Sequence, residues 1–234
     1  MEYSLYVLIL LIEWILLVTI GAPLFFAGRF RKAPTVGIFV WLAAISSTII
    51  ATIWAGVVAV GFVFESYFRL REGDDVASVL LLSFAPWLLM GFAGILLALA
   101  NQRLANLFTV DSDPAASLLG AKYKMQFQSA KVFELALPGY FALTRKKEIY
   151  LSKPVFDLPS EQLQAILHHE QGHIFLRHGM IKRFAFMIFQ LLPWVVASRA
   201  MKSEIDVLAE LAADNYALKR VTRKDLNAAR RLFI

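Results

Sequence analysis

Leu167-His168-His169-Glu170-Gln171-Gly172-His173 holds two histidines and a glutamate in the H-E-x-x-H arrangement. His169 and His173 lie four residues apart, so on an α-helix they project from one face, a turn from each other. That spacing lets two imidazoles bind one Zn²⁺, with Glu170 beside them to act on a water at the metal. A helix here would equip the chain to hydrolyse peptide bonds.

The flanking residues favour that helix. Pro159 ends the preceding segment, Ser160 suits the N-cap, and Glu161 and Gln162 suit the first turn, where an acid meets the positive end of the dipole. Leu163, Ile166, Leu167 and Ile174 recur at helical spacing and form the packing stripe. His168 points roughly 100° away from His169, and His178 follows His173 by five residues. Neither is assigned to the metal, and His178 reads as structural.

A catalytic zinc takes three protein groups and leaves one position open. The chain has no cysteine, so sulfur ligation is excluded. Downstream, Ser203-Glu204-Ile205-Asp206 has the form of a capping box and is expected to open a second helix running to about Lys219. Glu210 and Asp214 share a face of that helix. By themselves they would read as two solvated carboxylates. Beside the histidine motif, Glu210 is the expected third ligand of one Zn²⁺ per chain, and Asp214 the group that orients a ligand imidazole.

HEQGH followed by Arg177-His178, then ELAAD at Glu210 to Asp214, resembles the gluzincin metallopeptidases. Two membrane-bound branches are similar: the HtpX- and Ste24-type proteases and the BlaR/MecR-type antirepressor peptidases. Leu137 to Leu143, then Glu148 to Ser152, resemble the strand pair before the zinc helix in both branches, so the likeness covers roughly Lys131 to Leu218. Leu191-Leu192-Pro193-Trp194 tilts it toward the BlaR/MecR branch. The resemblance implies a zinc-dependent endopeptidase with a protein or peptide substrate. It further implies that the strand around Glu148 to Ser152 offers its edge to extended substrate. Tyr216, His178 and Arg177 are candidates by type for stabilising the oxyanion.

Composition places this chemistry at a membrane. Of 234 residues, 59% are hydrophobic and 18% charged, and the mean hydropathy is +0.60, too apolar for an ordinary soluble domain. Three runs, 3–26, 35–64 and 76–100, meet the length of about 20 residues that a bilayer crossing needs. The first lacks a basic leader and is expected to stay as an anchor; Glu13 lies inside it, where a carboxylate needs a partner or a proton. Pro86 is expected to bend the third run. Ser46, Ser47, Thr48, Thr52, Gly91 and Gly94 are expected to mediate helix packing. The expected organisation is a membrane domain over 1–100 and a peptidase domain over 101–234, hinged at Val110 to Pro114.

Arg29, Arg31 and Lys32 fill the first loop without an acid, whereas Glu65 to Asp75 holds two arginines against four acids. Arg103, Lys122, Lys124 and Lys131 follow the third run. Cytoplasmic loops collect Lys and Arg, so the N-terminus is expected outside and the region after Ala100 in the cytosol, at a bacterial inner membrane. A fourth apolar run, 184–198, is too short to span and separates two groups that must share one ion. It is expected to lie as an interfacial or re-entrant helix.

The fold expected is therefore an α-helical membrane protein with a small α+β, zincin-like metalloprotease domain. Net charge +6 is distributed around the membrane boundary without a nucleic-acid-binding signature, so lipid, not nucleic acid, is the expected counterpart. Two roles follow from the resemblance: a regulatory protease acting on a repressor-like protein, or membrane-protein quality control. Twenty residues follow Asp214, and no extracellular ligand-binding domain is expected, so a regulatory role would call on a separate sensor or regulatory protein. A non-catalytic scaffold would not need Glu170 with all three ligands. An intramembrane protease would not flank its zinc helix with Lys146, Lys147, Glu161, Gln162, Gln164 and Arg177.

Overall fold

Lys122–Phe127 (β1) and Ala130–Leu135 (β2) pair antiparallel across a tight turn at Gln128, which adopts a left-handed φ of 51°. Ala142–Arg145 (β3) and Glu148–Ser152 (β4) form a second hairpin across Lys146-Lys147, and β4 lies parallel to β2. The sheet order is thus β1-β2-β4-β3. This corrects the expectation that β4 offers a free edge: β4 is interior, and the edge near the histidine motif belongs to β3. The hairpin reverses direction and leaves β4 bonded on both sides.

A computed structural model of the chain describes residues 2–104 and 120–233. The expected hinge at Val110 to Pro114 lies outside the described residues. Contacts divide the chain into one unit within Met1–Arg29, Phe39–Val110 and Ile188–Ser203, and another within Phe30–Ile38, Asp111–Met187 and Glu204–Ile234. Among the described residues the protein is mostly helical, with one small sheet and three helices long and apolar enough to cross a membrane: Ser4–Phe26, Pro34–Glu72 and Val76–Gln102.

The first of these comprises Glu2–Leu16 (α1), a π-helical turn at Leu17–Gly21 and Ala22–Phe26 (α2). Pro23 has no N–H to give the preceding turn and its ring crowds that turn, so a widened turn accommodates it. Pro34–Glu72 (α3) has 39 residues, about 58 Å of helix, and runs past the expected end at Phe64. Glu65 to Glu72 contains no breaker, and the helix stops only where Gly73 takes φ +91°. There Asp74 N–H reaches Arg69 O and Gly73 N–H reaches Leu70 O, a Schellman ending. Asp75 then caps Val76–Leu104 (α4) by accepting from Ser78 N–H at 3.0 Å. The helix continues through Pro86.

Within this unit Trp41 is fully buried, edge-on to Phe26, while Phe39, Leu81 and Leu88 face outward, a distribution that suits lipid rather than water. The expected polar glue is different. Thr48 and Thr52 donate to carbonyls of their own helix; Ser47 does the same and accepts from Trp14 Nε1. Among the described residues, Gly91 and Gly94 have no heavy atom within 4 Å of the side they leave open, so neither mediates a close helix contact there.

In the other unit, Ser160–Phe175 (α5) lies on the sheet. Ala165, Ile166 and Leu167 join Val132, Ile149 and Leu151 in one buried cluster. Pro159 rather than Ser160 occupies the N-cap. Arg223–Arg230 (α8) adds Leu226 and Ala229 to the same cluster, its start capped by Thr222.

The fourth apolar run is not one helix. His178–Leu191 (α6) ends before Pro193, and Val196–Ala217 (α7) begins three residues after it. Pro193 lacks an N–H and disfavours helical backbone at Leu192, so the run breaks there. Ser198 Oγ donates to Leu192 O at 2.5 Å and Arg199 Nε to Pro193 O at 2.6 Å, which holds the turn. Ser203 consequently sits inside α7, and the expected capping box does not open that helix.

Gly172 fixes how near α5 comes to the second half of α7. A Cβ there would stand 3.0 Å from Ala213 Cα and 3.2 Å from both Ala213 O and Tyr216 Cβ. The backbone atoms cannot yield as a side chain would, so Gly172→Ala forces the helices apart. Overpacking of this kind destabilises by about 1–3 kcal/mol. Gly172→Ala is expected to lower the thermal unfolding midpoint in detergent.

Candidate metal centre

His169 and His173 emerge from α5, and Glu210 and Asp214 from α7; the structure brings all four together. His169 Nε2 lies 3.2 Å from His173 Nε2 and 3.2 Å from Glu210 Oε2, and His173 Nε2 lies 3.5 Å from the same oxygen. Ligands about 2.0–2.2 Å from a tetrahedral zinc stand about 3.3–3.6 Å from one another. The three-atom triangle therefore already has the size of one face of such a shell. Two imidazole nitrogens and one carboxylate oxygen are also a donor set zinc accepts.

The remaining ring nitrogens are committed elsewhere, which aims the Nε2 atoms inward. His169 Nδ1 is 2.9 Å from Asp214 Oδ1, and the other Asp214 oxygen accepts from Arg230 at the end of α8. His173 Nδ1 is 2.9 Å from His178 Nδ1. His178 is buried, and burial followed by the nearby charges of His173 and Lys182 pushes its pKa down to about 3. A neutral His178 can accept a hydrogen bond from His173 Nδ1–H, leaving His173 Nε2 with the lone pair that a metal needs. His178 reaches this place because α5 stops at Phe175 and Arg177, at φ 55°, turns the chain into α6.

Burial opposes charge on His169, but its hydrogen bonds to Asp214 and Glu210 outweigh it and raise the pKa to about 10. Burial works the other way on Glu210, yet His169 and His173 hold its carboxyl well below the usual range. Glu170 is buried against the β3 edge, where Thr144 Oγ donates to its Oε2 at 2.6 Å. On α6, Lys182 Nζ donates to Glu210 Oε1 at 2.8 Å.

His168 turns away as expected: its ring lies edge-on to Phe127 at 5.1 Å, in the direction of the sheet. Tyr216 packs against Phe175 and under Arg220, and His178 is committed to His173. Thr144, Lys182 and Arg230 were not singled out by the sequence. Lys182 had a signal, one helical turn after His178; Thr144 and Arg230 arrive through tertiary folding alone.

The profile of Peptidase family M48 matches residues 114–232, more than half of the chain. No curated protein and no solved structure matches it.

Two outcomes are expected at this centre. Asp214→Asn removes the anionic acceptor from His169 and should weaken zinc binding about 10–100-fold in chelator competition. Protons and metal also compete for His169 Nε2. With a folded pKa of about 10 the ring stays protonated at neutral pH, and each zinc bound must release that proton. Apparent zinc affinity should rise about tenfold per pH unit between pH 7 and 9; a flat profile would show that His169 is already neutral.

Proposed function

Because the chain belongs to peptidase family M48, a family of zinc metallopeptidases, we propose that His169, His173 and Glu210 hold one zinc ion and Glu170 is the general base. Family membership, and the three helices apolar enough to cross a membrane among the described residues, support a membrane metallopeptidase acting on protein. The observation that carries the assignment is the triangle of donor atoms, 3.2, 3.2 and 3.5 Å on its sides.

Zinc in this site would polarise the scissile carbonyl and lower the pKa of water from about 15.7 toward about 7. Glu170 takes the proton of the attacking water and passes it to the leaving amine. Thr144 holds one oxygen of that carboxylate, so the base starts in a fixed orientation. In the two-residue hairpin the peptide groups of Ala142 and Thr144 point away from β4, toward the open edge. That edge suits an extended substrate bound through main-chain hydrogen bonds, with little sequence preference.

Within that activity, we propose a regulatory peptidase of the BlaR/MecR type, with the membrane domain over about 1–100, the peptidase domain over about 101–234 and the active site on the cytosolic face of a bacterial inner membrane. The loop charges support that orientation. The outward apolar side chains Met187, Leu191 and Trp194, around the turn at Pro193, support a re-entrant or interfacial placement of this segment. Glu13, exposed on the first membrane helix, supports a separate sensor protein as partner within the bilayer.

Purified in detergent, wild type is expected to hold one zinc per chain and cleave casein. Glu170→Gln keeps the shape and loses the base, so it should retain zinc with kcat lowered about 10²–10⁴-fold. Equal cleavage by both proteins would remove Glu170 from the mechanism, and absence of zinc from both would remove the metal. A single regulator accumulating in cells that carry the variant supports regulation; many misfolded membrane proteins accumulating would support quality control instead.

A further inference from the structure

Resting on the zinc reading above, we propose that Lys182 is a positioning residue that restricts Glu210 to one-oxygen coordination and so keeps a position on the metal open for water. The Glu210 carboxylate is divided between two duties. Oε2 lies 3.2 Å from His169 Nε2 and 3.5 Å from His173 Nε2, while Oε1 accepts from Lys182 Nζ at 2.8 Å. A carboxylate can give a metal one oxygen or both. With Oε1 held by an ammonium group, only Oε2 is available, and the shell closes at three protein atoms as a catalytic zinc requires.

The fold places this lysine firmly. It follows His178 on α6 by one helical turn, so the two side chains share a face, and His178 is anchored to His173. The exposed side chains Met180 and Met187 lie elsewhere around α6, which leaves the Lys182 face turned to the imidazoles. Glu210 is 44% exposed and would be free to rotate without a partner. Electrostatics argues against a role in affinity alone. A cation this close to a divalent ion works against binding, so its benefit has to lie in the coordination it imposes.

The test uses the full chain in detergent as wild type, Lys182→Met and Lys182→Arg, each loaded with Co²⁺ for visible spectroscopy and with Zn²⁺ for affinity and turnover. Wild type is expected to show the intense d–d bands of a four-coordinate ion. Lys182→Met should lose band intensity as the second oxygen joins the metal, with kcat lowered about 10–100-fold, KM unchanged and zinc affinity no weaker than wild type. Lys182→Arg, which still donates to Oε1, should restore the bands. Lys182→Ala gives the same readout if Lys182→Met does not fold. Unchanged bands in the Met and Ala variants would overturn the proposal, and so would parallel loss of zinc affinity and activity, the mark of a merely structural residue. Failure of the wild type to take up cobalt or zinc would instead bring down the metal reading itself, and this inference with it.

Discussion

Gly172 stands between the two histidines of the motif, and the absence of its side chain lets α5 approach the backbone of α7 at Ala213. Everything at the centre depends on that closeness. Glu210 and Asp214 flank Ala213 on α7, so the contact that admits Ala213 also delivers a carboxylate to each end of His169. The sheet enforces the approach from behind. Ala165, Ile166 and Leu167 anchor α5 on β2 and β4, and α8 docks into the same buried cluster. With α5 held on one side, a methyl group at position 172 could be relieved only by displacing α7 and its acids.

Around the donor triangle, each group is aimed by another that does not itself belong to the triangle. Asp214 orients His169 and is in turn held by Arg230; His178 orients His173; Lys182 holds Glu210; Thr144 holds Glu170. The supporting groups come from β3, α6, α7 and α8, so the geometry rests on the whole peptidase unit rather than on α5 alone. Such an arrangement fixes imidazole tautomers and carboxylate orientation before a ligand arrives, and this preorganisation is what metal affinity and activity draw on. The charges balance on the same plan. His169 sits between two carboxylates, and Glu210 between two imidazoles and an ammonium, so neither acid nor base is buried unpaired.

Local chemistry made part of this legible in advance. HEQGH and ELAAD have helical spacings, and spacing alone says which side chains share a face; bringing the two faces together depends on the close approach at Gly172. The three long apolar runs were legible because a bilayer crossing demands length and composition and little else. Boundaries set by caps were less visible. Gly73 ends α3 eight residues beyond the apolar run because polar residues between Glu65 and Glu72 continue a helix as readily as apolar ones. The strand edge was misassigned because pairing order in a sheet is a tertiary property: both β3 and β4 look alike in sequence, and only the parallel partnership with β2 makes β4 interior. Thr144 and Arg230 were invisible for the same reason, being distant in sequence from the residues they hold.

Two donors on one ion, as proposed for His173 and Glu210, restrict the path between them. Any route from His173 to Glu210 must begin and end on the same side of a bilayer, so it can cross an even number of times or not at all. An unbroken apolar helix over 184–198 would sit awkwardly with that rule, too short to span and too hydrophobic to lie free in water. Pro193 resolves the conflict by turning one run into two helix ends joined through Leu192–Val195, where Ser198 Oγ and Arg199 Nε donate to the carbonyls of Leu192 and Pro193. The chain leaves the peptidase unit at Ile188, joins the unit of long apolar helices, and returns by Glu204, six residues before the third donor. An excursion of this kind is what the proposed shared ion calls for. It also gives the hydrophobic residues between the two site helices a reason to be there, since a soluble linker would perform the same return with a polar loop.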